Sequence, residues 1–115
     1  MHAIVVNPEG DWHVLGHPTD EYEQYNCVKR AVGAHDNRTL VERVRINVDG
    51  HPLELWVDEE GLLKSLPYNV AASFLASRSL DYLLVGTAYV TARDMTPMTD
   101  DELEAVKGCL VTRQA

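Results

Sequence analysis

Long apolar runs are missing from this sequence. Leu83-Leu84-Val85 is typical of what it has, against the roughly 20 consecutive apolar residues that a bilayer-spanning helix needs, so no membrane partner is expected. Met1 leads at once into the strand-like run His2-Ala3-Ile4-Val5-Val6 with no basic region ahead of it. That argues against a secretory signal, and the expected location is the cytoplasm. Cysteine is scarce: Cys27 and Cys109 are the two present, and neither belongs to a CxxC pair. Both sit in helix-like segments beside apolar neighbours and read as small buried hydrophobes rather than as a disulfide or a reactive thiol.

Basic residues are also few, with 10 Lys and Arg against 18 Asp and Glu and a net charge of −8. A field of that sign repels phosphate, so direct nucleic-acid binding is not expected. The acidity serves solubility in the plainest reading; a functional acidic surface, as a nucleic-acid mimic or a binder of basic partners, is the other.

The motifs of common chemistry are absent. His2, His13, His17, His35 and His51 form no HxH, HExxH or CxxC…H arrangement, so no metal is expected and the histidines read as surface or turn residues. His13 and His17 lie four apart, but Gly16 and Pro18 spoil a helical ligand pair. There is no GxxxxGK[ST], GxGxxG or GxSxG, hence no phosphate-cradling loop and no nucleophile elbow. Asp58-Glu59-Glu60 lacks the EF-hand pattern and reads as a solvated turn. No catalytic residue and no cofactor are assigned, and the chain is expected not to be an enzyme.

What remains describes one globular domain over residues 1 to 115, with 45% hydrophobic and 24% charged residues. No repeat, low-complexity tract or linker divides it. Ala3 to Val6 reads as a strand closed by Asn7-Pro8-Glu9-Gly10, and Trp12 to Leu15 as its hairpin partner. Asp20 with Glu23 outlines a capping box for a helix to residue 32, with Tyr22, Tyr25, Val28 and Val32 at helical spacing and Gly33 as its stop. His35-Asp36-Asn37-Arg38 reads as a polar connection.

The clearest local signal follows. Val44, Ile46 and Val48 alternate with polar residues, Asp49-Gly50 signals a tight turn, and Leu53, Leu55 and Val57 alternate in return. A two-residue turn sets Val48 opposite His51, Ile46 opposite Leu53 and Val44 opposite Leu55, with every aliphatic residue on one face. The other face then pairs Arg45 with Glu54 as an ion pair and Arg43 with Trp56 as a cation–π contact. Asn69 to Ser77 reads as a short helix capped by Asn69, with Val70, Ala71, Phe74 and Leu75 inward. Asp81 to Ala92 reads as one long central strand bent at Gly86. Thr99-Asp100-Asp101-Glu102 is a capping box for a last helix with Leu103, Val106 and Leu110 buried, weakened at Gly108 and fraying towards Ala115.

This order predicts an α+β domain: a mainly antiparallel sheet with about three helices packed on one face. An exposed strand edge would allow a symmetric homodimer. Trp and Arg are typical interface anchors, which makes Arg43, Arg45 and Trp56 the candidate partner-binding surface. Tyr68, Asn69 and the Gly86 bend are the candidate small-ligand site, of nucleotide type.

The middle of the chain resembles a known family. Trp56-Val57-Asp58-Glu59-Glu60-Gly61-Leu62-Leu63, Leu66-Pro67-Tyr68-Asn69, Ala71-Ala72 and Val85-Gly86-Thr87, followed by the late Thr-x-Met-Thr helix start, resemble domain-of-unknown-function family 3846, small proteins found mostly in bacteriophages and mobile elements. The resemblance spans residues 32 to 106 and leaves the N-terminal segment outside; Asp58 stands where Asn is common. It implies a phage-encoded accessory protein acting in the bacterial cytoplasm and carries over no catalytic residues; small size, strong acidity and the lack of a catalytic constellation make binding of a host macromolecule, a host protein first, the expected role. On that reading the Leu66–Asn69 stretch is more a turn that the fold demands than a site.

Overall fold

A computed structural model describes residues 1–33, 40–77 and 81–114. The predicted polar connection at His35 to Arg38 lies outside the described residues, as does Ala115. Five strands form one antiparallel sheet: β1 (His2–Val6), β2 (Trp12–Gly16), β3 (Val41–Val48), β4 (His51–Asp58) and β5 (Ala88–Thr91), in the order β2-β1-β5-β4-β3. Three helices complete it: α1 (Glu21–Val32), α2 (Val70–Leu75) and α3 (Asp100–Gln114). The chain is thus a single antiparallel-sheet α+β domain.

The β3–β4 hairpin has the register that the alternation predicts, with Val48 opposite His51, Ile46 opposite Leu53, Val44 opposite Leu55, Arg45 opposite Glu54 and Arg43 opposite Trp56. Asp49 and Gly50 both take positive φ, 50° and 83°, the backbone twist that a two-residue hairpin requires. The helix starts also follow local rules. Asp20 accepts from the Glu23 amide at 3.0 Å. Thr99 and Glu102 exchange side-chain-to-amide bonds of 3.2 and 2.8 Å, a complete capping box. Leu103, Val106 and Leu110 are buried as expected, and α3 runs through Gly108 without a break.

The layering differs from the expectation of helices on one face. α2 and α3 cover one side of the sheet, where Ile4, Val6, Val44, Ile46, Leu53, Leu55 and Val90 form the larger core. α1 covers the other, over Ala3, Val5, Trp56 and Tyr89. Both faces of β4 are therefore buried from Leu53 to Asp58, as befits an inner strand.

Three elements depart from the sequence reading. The α1 stripe is Gln24, Val28 and Val32, whereas Tyr22 and Tyr25 face solvent; Lys29 lies over the Tyr25 ring at 5.5 Å instead. α2 buries Ala71, Ala72 and Leu75 but leaves Val70 and Phe74 exposed. The long strand over 81–92 is only Ala88–Thr91. Gly86, at φ 80°, turns the preceding residues off the sheet, and they pair with 66–69 through Asn69 N–H to Leu84 O and Gly86 N–H to Pro67 O, both 2.8 Å.

Candidate functional site

The row Arg43, Trp56, Tyr89, Val5, His13 crosses all five strands in register on the α1 side of the sheet. α1 lies over its middle, against β3, β4 and β5. Trp56 is therefore buried beneath the helix, and its indole N–H donates to Thr91 Oγ1 at 2.9 Å. It offers no ring to a partner at the surface, which corrects its candidacy as an exposed anchor. Arg43 and Arg45 remain exposed. Arg43 does not stack on Trp56; it reaches diagonally to Glu54, Nη1 to Oε2 at 3.5 Å, and so takes the carboxylate that the sequence pairs with Arg45.

Glu54 is buried at 3% exposure and holds a second partner, the Met95 amide, which donates to Oε1 at 3.0 Å. Asp94 and Met95 both have positive φ, 56° and 63°, a conformation costly for side chains with a Cβ. His17 grips the same turn from the other side, Nε2 to the Met95 carbonyl at 2.8 Å. This corrects the reading of His17 as a surface or turn histidine: it is buried, and its Nδ1 meets the Tyr89 hydroxyl at 2.7 Å. Burial holds the imidazole pKa below its ordinary value, the Met95 hydrogen bond opposing this in part. The Tyr89 hydroxyl is pushed upward, by burial first and by the Cys27 thiol nearby second. These groups saturate one another and clamp the 93–95 turn to the sheet.

A second buried carboxylate corrects the solvated-turn reading of Asp58-Glu59-Glu60. Glu59 and Glu60 are exposed, but Asp58 is 4% exposed. It accepts from Lys64 Nζ at 2.7 Å and from the Glu60 amide at 2.8 Å. That ion pair folds the Gly61–Ser65 turn back on β4.

Asn69 is fully buried and entirely occupied. Its amide nitrogen donates to Val6 O at 2.9 Å and Gly86 O at 2.8 Å, and its oxygen accepts from the Ala72 amide at 3.0 Å, capping α2. No side-chain atom is left for a ligand. Gly86 serves the same joint: a Cβ there would stand 2.8 Å from Leu66 Cδ1. Tyr68, bridged to Val85, points outward and is 61% exposed.

What the joint displays is apolar. Leu62, Leu63, Tyr68, Tyr82 and Leu83 are all more than half exposed, Leu62 at 76% and Leu63 at 85%. Leu62, Tyr82 and Leu83 share one shallow hollow with Gly61 and Val85. Phe74 is exposed elsewhere, beside Asn47 to Asp49 at the hairpin turn. Glu42 and Glu59 line the Leu62 hollow, so the surface is greasy with an acidic margin. Sequence reading missed it because Leu62-Leu63 and the 81–85 run look like core.

A second concavity lies on the α1 side between the helix and β2, lined by Val5, Leu15, Tyr89, Thr87, His13 and Arg30, about 390 Å³ in volume. Cys27 and Cys109 are free and half-buried. Burial raises the Cys109 thiol pKa, with Asp49 adding to it. Among the described residues, no three His, Cys, Asp or Glu side chains converge as metal ligands, and no helix is long and apolar enough to cross a membrane. Acidic residues open both α1 (Glu21, Glu23) and α3 (Asp100, Asp101, Glu102), on opposite sides of the sheet.

No protein-family model, curated protein or solved structure matches the chain.

Proposed function

We propose that this chain is a non-enzymatic binding protein that docks an apolar segment of a basic protein partner on the surface formed by Leu62, Leu63, Tyr68, Tyr82 and Leu83. One observation carries the reading: these large side chains all stand in the open, Leu62, Tyr82 and Leu83 around one hollow, on segments held by Asn69 and the Asp58–Lys64 pair. Burying one such side chain is worth about 1.5–3 kcal/mol, and contiguous exposed apolar surface is the usual mark of an interaction site. Glu42 and Glu59 beside the hollow, and the net charge of −8, favour a partner with basic residues flanking the apolar ones. A host protein of the bacterial cytoplasm is the partner proposed, with the chain as a phage accessory protein, in keeping with the resemblance of its middle segment to family 3846.

Affinity capture of the tagged protein from bacterial lysate tests this, with Leu62→Ser, Leu63→Ser beside it and Arg43→Ala, Arg45→Ala as the contrasting surface. The expected result is a partner lost by the first variant and kept by the second, with both variants folded. A partner lost only with the arginines overturns the choice of surface. Concentration-dependent dimerisation abolished by Leu63→Ser would make a second copy of the chain the occupant.

A further inference from the structure

We infer that the groove between α1 and β2 is a separate binding site, one for a small heteroaromatic phosphate of the nucleoside monophosphate type. α1 packs mainly against β3, β4 and β5, and a groove remains between it and β2. Val5 and Tyr89, on one face of adjacent strands, are buried beneath it, and the apolar surface left accessible is that of the partly buried Leu15, Cys27 and Ala31. The volume of about 390 Å³ falls in the range of small-molecule sites. Polar groups line the groove from separate elements: Arg30 from α1, His13 from β2, Asn7 after β1 and Thr87 from the approach to β5.

The charge is what selects the ligand. Arg30 and His13 make no ion pair with a described residue, in a chain where acidic residues outnumber basic ones by 18 to 10. A guanidinium fork matches phosphate in two parallel hydrogen bonds, with the imidazole beside it. A planar ring then lies against Leu15 and Ala31, and the Thr87 hydroxyl can meet a polar edge. Arg30 also lines the adjoining hollow, which runs past Thr87 and Gly86 and is shared with Glu9.

The test is an amide-shift titration of the full chain by NMR with AMP, GMP, CMP and UMP, set beside their nucleosides and inorganic phosphate. Saturable shifts are expected at His13, Cys27, Arg30 and Thr87, with at least one nucleotide binding tighter than its nucleoside. Arg30→Gln, an exposed change that leaves the fold intact, should weaken that binding about tenfold or more. Leu15→Glu should abolish it by placing a like charge on the floor. The inference is overturned if no nucleotide saturates up to about 1 mM, or if folded Arg30→Gln binds as tightly as the parent. Inorganic phosphate reproducing the nucleotide's shifts would equally overturn it, since the floor would then do nothing. None of these outcomes depends on the apolar surface at Leu62 and Leu63, on the opposite flank of the 66–69 joint.

Discussion

His17 and Tyr89, 72 positions apart, meet in a hydrogen bond of 2.7 Å between the α1 layer and the sheet. The Met95 carbonyl can only accept, so the proton of the neutral imidazole sits on Nε2, and Nδ1 accepts from the Tyr89 hydroxyl. Removing that donor leaves a buried nitrogen unsatisfied. Tyr89→Phe should therefore destabilise the fold by about 1–3 kcal/mol, read as a lower urea midpoint at unchanged slope.

The same pair makes stability depend on pH from both ends. His17 titrates below its ordinary value of 6.5 in the folded state. Above pH 6.5 both states hold the ring neutral and its contribution is complete. As pH falls, the unfolded chain takes up the proton first, and stability is lost progressively until the folded pKa is passed. Above pH 10.0 Tyr89 acts in the opposite sense, since its raised pKa lets the unfolded chain ionise first. Urea midpoints between about pH 7.5 and pH 5 should fall more steeply for the parent than for His17→Gln. Parallel pH profiles would remove His17 from the account.

How much of this was legible in the sequence depended on the range of the interaction. The β3–β4 register was readable because Asp49-Gly50 fixes a turn and the alternation fixes the faces, both within a few residues. The helix starts at Asp20, Asn69 and Thr99 were readable for the same reason. That β5 inserts between β1 and β4 was not, because no local pattern encodes which strands become neighbours. From that insertion follow the burial of Trp56 under α1 and the meeting of His17 with Tyr89. The apolar run at 81–85 misled in the other direction, being read as part of a central strand: hydrophobicity marks what can be buried, not what is. The α1 groove was invisible because Val5, His13, Arg30 and Thr87 come from four separate segments.

Asn69 should be the most sensitive polar side chain in the 66–86 region. Asn69→Ala removes the α2 cap, worth about 0.5–2 kcal/mol, and strips donors from two buried carbonyls, Val6 and Gly86. A total loss of about 2–4 kcal/mol is expected. Tyr68→Ala, one residue away but exposed, should cost within about 0.5 kcal/mol. Thermal unfolding of the two variants side by side decides the matter: equal losses would mean that Asn69 is not the joint that its three hydrogen bonds describe.

Two glycines should respond in opposite directions to the same substitution. Gly86 holds φ at 80° with Leu66 Cδ1 where a Cβ would go, 2.8 Å away. Gly86→Ala must bear both a disfavoured backbone and a close contact, so it should destabilise by about 1–3 kcal/mol. Gly108 lies inside α3, exposed, with nothing within 4 Å of an added Cβ. Gly108→Ala gains helix propensity and reduces the freedom of the unfolded chain, and should stabilise by about 0.5–1 kcal/mol. Chemical denaturation of both at one pH gives the signs directly. A stabilising Gly86→Ala would show that the 81–86 segment can rejoin the sheet as the continuous strand that its apolar sequence suggests, and the exposed surface around Tyr82 and Leu83 would lose its structural basis.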